Sequence, residues 1–383
     1  MRISVFVPGR LHGFEMALYF QKMGILNELV TGYPKKYVVP FGIEKQFVKS
    51  IYLNEIINRT TNWLGLGYPL DFLACEAFDY LASTIIKFDS HVYFIWSGYG
   101  LKTIRKIRQK NPAAKVIIVR GSAHIDEQEY LLKKINNSTK QQINPRIIKK
   151  ELEEYRCSDY ITVPSSFAFD SFINRGINKE KLFLNFLGVN LEEFPFKEKN
   201  IDRHKPLIFG NVGTLSKRKN VLAIIEVLHK LNLNGHNFKL ILAGQIDHES
   251  FDASILKKYT FIDYRGKVDQ RELHLIYAEI DVFIINSIEE GLAMVQLQAM
   301  SCGCPIIATT NTGGTDIVKN YENGIIISIL DDNALEKSII WFNDHKDDIH
   351  QMSIKSREIA QTGFTWDDFG KRNLDFIKKI LQN

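Results

Sequence analysis

Cysteine and long apolar runs are both scarce in this sequence, and each shortage excludes a class of protein. Four cysteines among 383 residues fit a reducing compartment. Cys302 and Cys304 lie near each other, but no second ligand pair follows them, which argues against a zinc site. Apolar runs such as Val92–Trp96 are far shorter than the roughly 20 residues of a membrane-spanning helix, so we expect no such helix.

The N-terminal segment lacks the pattern of a secretory signal peptide. It carries one charge, at Arg2, and its short apolar run ends at Pro8 and Gly9. Because that run is shorter than the hydrophobic region of a signal peptide, we expect the chain to stay in the cytoplasm.

Charge is unevenly distributed along the chain. Residues 1–200 contain 28 Lys and Arg against 20 Asp and Glu, a net of +8, and residues 201–383 contain 21 against 24, a net of −3, which together give +5. One interpretation is an ordinary solvated surface of mixed charge. The other is that the first half meets an anionic partner, either a membrane face or a phosphate-bearing acceptor.

Apolar and aromatic residues stand among the cations of residues 49–66, which favours peripheral contact of the first half with an anionic membrane. The contact would lie at the inner face of the cell membrane. Nucleic acid is excluded as a partner, because the basic residues are scattered and no zinc-finger, RNA-recognition or helix-turn-helix pattern is present.

Strand-like and helix-like segments alternate along the chain, which is long enough for two domains. The predicted strands are residues 3–7, 91–96, 115–119, 160–163 and 182–184, then 207–212, 239–243, 282–285, 305–308 and 324–327. The predicted helices are residues 14–23, 101–109, 150–157 and 166–175, then 220–231, 271–278 and 293–302, with a polar helix–loop–helix over 133–150. This pattern predicts two doubly wound α/β units, each a parallel sheet with helices on both faces.

A charged, proline-flanked segment near residues 195–206 marks the boundary between the two units. We therefore expect domains at residues 1–200 and 201–363, followed by a terminal helix at 364–383 with Thr365 as its N-cap. That helix has a broad apolar face that must dock on another part of the protein. Ligands of such units bind at the carboxyl ends of the strands, so the site is expected in the cleft between the domains.

The first candidate site segment, residues 210–220, joins a strand to a helix. Gly213 follows the strand, and Lys217, Arg218 and Lys219 precede the helix. A helix N-terminus offers free N–H groups, but cations there oppose the helix dipole, and a bound phosphate would relieve that conflict. The alternative is a solvated run of charge. The spacing differs from that of the P-loop.

The second candidate segment, residues 287–305, also leads from a strand into a helix. Glu290 lies just before the helix, where its carboxylate would either cap the helix or hold a sugar hydroxyl, and Gly291 allows a ligand to approach the backbone. Gln298 lies two turns further on, and a surface position is the alternative for it. A third segment places His124 just after a strand end, as either a cleft residue or a buried structural histidine.

Together these segments resemble the retaining glycosyltransferases of family GT4, whose GT-B architecture places two Rossmann-like domains on either side of a cleft. The resemblance rests on Gly213 with Lys219, and on the run from Glu290 to Pro305. It covers most of the chain apart from residues 35–90 and 125–150. Further matches are residues 160–165, 188–190, 264–268, 312–316 and 364–366. The resemblance implies that the first domain binds the acceptor and the second binds the nucleotide sugar. It also implies that the helix at 364–383 crosses back onto the first domain; the alternative is packing within the second domain only.

The resemblance also implies a role for each matching residue. Arg218 and Lys219 would neutralise the donor diphosphate, and Glu290 would bind hydroxyls of the transferred sugar. Gln298 stands where the family has a second glutamate that binds the ribose, and His124 matches the family's active-site histidine. The other donor contacts would come from Gly13, Gly213, Lys267, Val268, Gly291, Leu292, Ala293 and Met294.

Two departures from the family pattern affect the donor site. Gln298 can bind a ribose hydroxyl only without charge assistance. Thr214 stands where many members have arginine, which leaves Arg218 and Lys219 as the main phosphate partners. No Asp-x-Asp motif accompanies the phosphate site, and we expect no metal requirement because the cations replace the metal's charge.

The implied activity is transfer of a sugar from a nucleotide-diphosphate sugar, with UDP favoured over GDP, to a hydroxyl of a glycan or lipid-linked acceptor. Retention at the anomeric carbon and a place in bacterial cell-surface polysaccharide or lipopolysaccharide synthesis are part of that expectation. Two alternatives are a sugar-nucleotide epimerase of the same fold and a catalytically weak nucleotide-sugar-binding partner. The glutamate-like motif argues against the first, and the presence of Lys219, Glu290 and His124 argues against the second.

Overall fold

Two separate parallel sheets organise the chain in the computed structural model, which describes residues 1–63 and 67–382. The strands of the first sheet are β1 (Ile3–Val7), β2 (Leu26–Thr31), β3 (Val48–Ser50), β4 (Val92–Trp96), β5 (Lys115–Val119), β6 (Tyr160–Val163) and β7 (Leu182–Leu184). Their order across the sheet is β3-β2-β1-β4-β5-β6-β7. The helices of this domain are α1 (Gly13–Lys22), α2 (Lys35–Val38), α3 (Leu53–Trp63), α4 (Gly67–Ile85), α5 (Leu101–Lys110), α6 (Ile125–Asn136), α7 (Pro145–Cys157) and α8 (Ser166–Asn174).

The second sheet repeats the arrangement with a smaller set of strands. They are β8 (Leu207–Val212), β9 (Phe238–Ala243), β10 (Ile262–Tyr264), β11 (Val282–Ile285), β12 (Ile306–Thr309) and β13 (Gly324–Ile327), in the order β10-β9-β8-β11-β12-β13. The helices are α9 (Val221–Leu233), α10 (Ile255–Lys258), α11 (Leu273–Glu279), α12 (Met294–Ser301), α13 (Asp332–Asp344), α14 (Ile349–Gln361) and α15 (Trp366–Gln382). The predicted fold class, two doubly wound parallel-sheet units, is confirmed.

Burial on both faces explains why the central strands could be read from the sequence. Every residue of β1 and β4 is buried, because helices cover both faces of the parallel sheet. Such strands appear as continuous apolar runs. Among the described residues, no helix is both long and apolar enough to cross a membrane.

The sequence reading missed strands whose apolar pattern is broken by buried charge. β2 contains Glu28, which is 1% exposed and pairs with Lys49 at 2.7 Å while accepting a hydrogen bond from Ser4. The helix predicted over 150–157 begins at Pro145 instead, because Asn144 accepts a hydrogen bond from the Arg146 N–H and caps it. Asn-Pro is a helix start signal that the polar composition obscured.

The two domains share an apolar core rather than touching through a wet surface. One contiguous cluster includes Val7 and Trp96 from the first sheet, Ile285 and Leu292 from the second domain, and Phe369 from α15. Large apolar interfaces of this kind restrain the relative motion of domains. The strand-end loops of both sheets therefore face each other across a narrow cleft.

Helix α15 returns to the first domain after the second domain is complete. Thr365 caps it, since the Asp368 N–H donates to the Thr365 hydroxyl at 3.1 Å. Further along, Arg372 donates to Asn185 Oδ1 at 2.8 Å, and Phe376 stacks on Phe183 with ring centroids 4.0 Å apart. The terminal helix thus ties the end of the chain to the first sheet.

We predict that Phe369→Ala destabilises the protein by about 3–5 kcal/mol, because it leaves a cavity where a buried ring packs edge-on against Trp366 and His12. Leu381→Ala in the same helix is the matched control, because Leu381 is exposed and should cost far less. Denaturant unfolding of both variants measures the difference. Equal stability of the two would show that α15 is not anchored at Phe369.

Candidate active site

The site is built where loops that follow central strands of the two sheets meet. The loop after β8 carries Arg218 and Lys219 into α9, and the loop after β11 carries Glu290 towards α12. Arg218 and Lys219 both form ion pairs with Glu290. Three residues predicted independently from two segments are therefore in direct contact.

The cation loop is shaped so that Lys219 folds back towards the end of β8. Gly213 has φ +146°, and a Cβ there would lie 3.8 Å from Lys219 Nζ. Asn220, at the start of α9, is also left-handed, with φ 51°, and its side chain makes no capping hydrogen bond. The N-terminus of α9 is thus left without a side-chain cap, in the position where an anion binds most favourably.

Glu290 is a partner of the cations and not a helix cap. Arg218 NH1 lies 2.9 Å from Glu290 Oε1 and donates to the Glu289 carbonyl oxygen at 2.6 Å. Lys219 is only 13% exposed and also contacts Glu290 Oε1. The N-cap of α12 is Ala293, so the capping alternative for Glu290 is wrong. Nε and NH2 of Arg218 have no hydrogen-bond partner in the described ranges and can donate hydrogen bonds to a ligand's oxygens.

Gln298 is buried, contrary to the surface alternative. It is 7% exposed, and its Oε1 accepts a hydrogen bond from the Tyr277 hydroxyl at 3.0 Å. That bond fixes the amide, so Nε2 is the group left for a ligand. Gln298 and Met294 line the same chamber of the cleft.

His124 occupies the N-cap of α6, with its side chain packed between Tyr155 and Phe172. Its Nδ1 accepts a hydrogen bond from the Asp126 N–H at 3.2 Å. Burial lowers the pKa of His124 to about 4, and the nearby positive charge of Arg120 adds to the shift. The imidazole is therefore neutral at physiological pH, and a catalytic role for His124 stays a prediction.

The predicted backbone contacts occupy different surroundings. Gly13 begins α1 and packs against Val7, where a Cβ would come within 2.9 Å of the valine side chain. The Ala293 N–H already donates to Thr312 O at 3.3 Å. The remaining predicted residues lie on strand-end loops: Gly213 after β8, Lys267 and Val268 after β10, and Gly291 and Leu292 after β11.

Gly291 is in contact with the other domain. A Cβ at Gly291 would overlap the carbonyl oxygen of Gly121, so the glycine lets the two backbones meet. Ser165 Oγ of the first domain also donates to Gly291 O at 2.6 Å. The space expected for a ligand at this glycine is filled by the first domain in this arrangement.

A chamber of about 600 Å³ lies between the domains on the side of α15, and the sequence reading missed its acidic wall. Glu15, in the first turn of α1, is 10% exposed and lies 3.7 Å from Arg10. Its Oε2 is buried without a partner among the described residues. Arg10 in turn reaches Gln270 of the second domain at 3.4 Å. Burial raises the pKa of Glu15 to about 7, although Arg10 acts in the opposite direction.

Glu289 was also missed, because a Glu-Glu pair in sequence gives no sign that its first member contacts the other domain. Its carboxylate is fully buried and accepts hydrogen bonds from Ser122 and Gln128 of the first domain. A second polar contact joins the domains, since the Ser166 N–H of the first domain donates to Asp316 Oδ2 of the second at 2.8 Å. No group of three His, Cys, Asp or Glu residues suited to a metal ion occurs in the part of the chain that the structure describes.

We predict that the stability difference between wild type and Glu15→Gln depends on pH. A carboxyl whose folded pKa of about 7 lies above its unfolded value destabilises the protein as pH rises through that interval. Between pH 4 and pH 8 the free energy of unfolding of the glutamine variant should therefore rise relative to that of the wild type by up to about 3 kcal/mol. Urea unfolding at both pH values measures the gain. Glu192→Gln, at an exposed residue of the same chamber, is the control, and an equal change in both variants would contradict the prediction.

Sequence comparison identifies a family match in the second domain and relatives of the chain. Residues 193–359 match the family described as glycosyl transferases group 1. An uncharacterised glycosyltransferase of Methanocaldococcus jannaschii is 25% identical over 264 residues, covering 60% of this chain and 62% of that protein. The capsular polysaccharide biosynthesis glycosyltransferase CapM of Staphylococcus aureus is 28% identical over 163 residues, covering 40% of this chain and 42% of that protein. The chain thus spans less than two thirds of the length of these two relatives.

Structural comparison extends the likeness to both domains. Anabaena HepE in complex with UDP superposes with a TM-score of 0.70 at 14% identity, over 99% of this chain and 100% of that one. At so low an identity the likeness establishes the fold alone. The family resemblance predicted from the motifs is confirmed for residues 193–359, which match the glycosyl transferases group 1 family, and the two domains form the GT-B architecture.

Proposed function

We propose that this protein is a retaining glycosyltransferase that moves a sugar from a UDP-sugar to a hydroxyl group of a glycan or lipid-linked acceptor. The convergence of Arg218, Lys219 and Glu290 at one point of the cleft is the observation that carries the proposal. Two cations beside an uncapped helix N-terminus suit a diphosphate, and a carboxylate beside them suits sugar hydroxyls.

The charge that develops during transfer explains why these residues are needed together. As the bond between the anomeric carbon and the diphosphate oxygen breaks, negative charge grows on the leaving phosphate. Arg218, Lys219 and the N-terminus of α9 would stabilise that charge without having to reorganise. Glu290 compensates both cations, so an incoming diphosphate would exchange places with the carboxylate, which would then face the sugar.

Retention follows if the acceptor attacks on the face from which the diphosphate leaves. The acceptor oxygen forms the new bond to the anomeric carbon, and its proton passes to the departing phosphate oxygen. The cations beside that oxygen hold the diphosphate close while the sugar is oxocarbenium-like. We propose that no metal is required, because Arg218 and Lys219 supply the positive charge that a metal would bring.

Relatives supply the support for the donor and the pathway class. Anabaena HepE is described in complex with UDP, and the Staphylococcus aureus relative acts in capsular polysaccharide biosynthesis. We therefore propose UDP as the nucleotide and bacterial cell-surface polysaccharide or lipopolysaccharide as the product class. Gln298 Nε2 would bind the ribose, and the backbone at Lys267 and Val268 would read the base.

A panel of UDP- and GDP-sugars, each assayed with and without acceptor extract and with and without EDTA, tests this function. We expect transfer with a UDP-sugar that EDTA leaves intact, and an anomeric configuration equal to that of the donor. Release of an altered nucleotide sugar without acceptor would favour an epimerase. Tight nucleotide binding with no turnover on any donor would favour a binding partner.

We predict that Lys219→Ala lowers turnover by about 100-fold at saturating donor, the scale of losing one preorganised charge partner. Lys217→Ala is the matched control, because Lys217 is exposed two residues away and should retain activity. Steady-state kinetics on both variants decides the matter. A Lys219 variant that keeps wild-type turnover would remove the lysine from the diphosphate site.

Peripheral attachment to an anionic membrane through the first domain is part of the proposal. Tyr37, Tyr52 and Ile56 are exposed, and Lys36 lies 5.0 Å from the Tyr37 ring. Lys49 is engaged with Glu28 and is not available, and residues 64–66 of the predicted segment lie outside the described residues. Attachment would leave the active protein in the cytoplasm, at the inner face of the membrane.

We predict co-sedimentation with anionic phosphatidylglycerol liposomes at low salt and release at high salt, at about 1 kcal/mol per basic residue near the surface. Neutral phosphatidylcholine liposomes are the control. Lys36→Glu should weaken binding, since it reverses one charge among the exposed aromatic residues. Equal recovery with both liposome types would exclude an electrostatic membrane contact.

A further inference from the structure

The carboxylate of Glu289 is a buried charge at the boundary between the two domains. It belongs to the second domain, yet both of its oxygens accept hydrogen bonds from the first. Ser122 Oγ bonds to Oε1, and Gln128 Nε2 bonds to Oε2 at 3.1 Å. Such a charge is costly to bury unless it is fully paired, so these bonds matter to the closed arrangement.

The same residue is attached to the predicted diphosphate arginine. Arg218 NH1 donates to the Glu289 carbonyl oxygen at 2.6 Å and lies 3.8 Å from its Oε2. The Ile288 N–H donates to Arg218 O at 3.0 Å, so the two loops are also joined through their backbones. Movement of Glu289 would therefore move Arg218 with it.

The other polar contacts across the cleft lack this connection. Ser165 bonds to the backbone of Gly291, Ser166 bonds to Asp316, and Arg10 bonds to Gln270, but none of these pairs contacts Arg218 or Lys219. Among the described residues, Glu289 is the side chain that contacts both the first domain and the arginine. Gln128 is itself held from the opposite side, since Arg120 NH2 donates to its Oε1 at 2.7 Å.

We propose that Glu289 is a positioning residue that ties closure of the cleft to the placement of Arg218 against the donor diphosphate. The inference rests on the proposed function. When the cleft closes, Ser122 and Gln128 fix the carboxylate, and the carboxylate fixes the loop on which Arg218 is held. Nε and NH2 of Arg218 then face the site with their donors unused by any described residue. When the cleft opens, Glu289 is hydrated and the arginine loses this constraint.

Paired variants from the two domains test the proposal. We expect Ser122→Ala and Glu289→Gln each to lower kcat by about tenfold, the scale of a small misplacement of a reacting group, and the double variant to be no worse than the worse single one. The dissociation constant for UDP should change by less than about threefold, because an open cleft still presents Arg218 and Lys219. Glu289→Asp should behave like Glu289→Gln, since it keeps the charge but shortens the reach to Ser122.

Small-angle X-ray scattering with and without UDP gives a readout that does not depend on activity. The variants should keep a larger radius of gyration with UDP than the wild type. Ser254→Ala is the matched control, because that hydroxyl donates to Asp252 Oδ2 at 2.8 Å on the surface of the second domain. It should match the wild type in both measurements.

The outcomes separate the two ideas. Additive losses in the double variant, or wild-type scattering curves for all variants, would overturn the role of Glu289. Expanded variants of a protein that transfers no sugar would support the closure contact and overturn the proposed function instead. A loss of UDP affinity equal to the loss of kcat would also overturn the proposal, because it would make Glu289 a donor-binding residue.

Discussion

The ion pairs and hydrogen bonds of two adjacent carboxylates, Glu289 and Glu290, join the cations of the candidate site to the first domain. Glu290 compensates the charges of Arg218 and Lys219, and Glu289 accepts hydrogen bonds from Ser122 of the other domain. Neither carboxylate could be buried alone at reasonable cost. The loop that follows β11 is therefore held from both sides, and the site and the domain boundary are parts of one charged network.

The fold supplies the geometry that this network needs. Parallel sheets bring strand-end loops to one edge, so two facing sheets bring four or more loops together without long excursions of the chain. The shared apolar core and the return of α15 to Asn185 of the first domain limit how far the loops can separate. The charged network therefore lies within an apolar interface. The interface restrains how far the domains open, and it keeps water out of the site when they are closed.

Local sequence patterns predicted the strands whose burial is visible in a short run of residues. The strands 115–119, 207–212 and 282–285 coincide with β5, β8 and β11, because burial on both faces leaves an uninterrupted apolar run. The contact of Lys219 with Glu290 was predictable from the family pattern, since each lies at a strand end. Glu28, by contrast, interrupts β2 with a charge whose partner, Lys49, lies 21 positions away, and no local pattern announces that pairing.

The parts of the site that escaped prediction depend on residues far apart in the chain. Glu289 and Ser122 are separated by 167 positions, and only the assembled cleft shows that they meet. Glu15 looks like an ordinary first-turn acid in the sequence, and only the assembled fold shows that it lines a chamber together with Gln270 and Gln298 of the second domain. By sequence His124 fits both a cleft position and a buried structural position. Only the hydrogen bond that its Nδ1 accepts from the Asp126 N–H shows that it caps α6, and its ring packs between Tyr155 and Phe172.

The backbone contact at Gly291 has a consequence for how this protein could be studied. The Gly121 carbonyl oxygen fills the space that a side chain would need at Gly291. A single added methyl group would therefore force the two backbones apart. It would add no charge and would leave Arg218, Lys219 and Glu290 unchanged. Gly291→Ala would hold the two domains apart at this contact and would allow the more open conformation to be studied by itself.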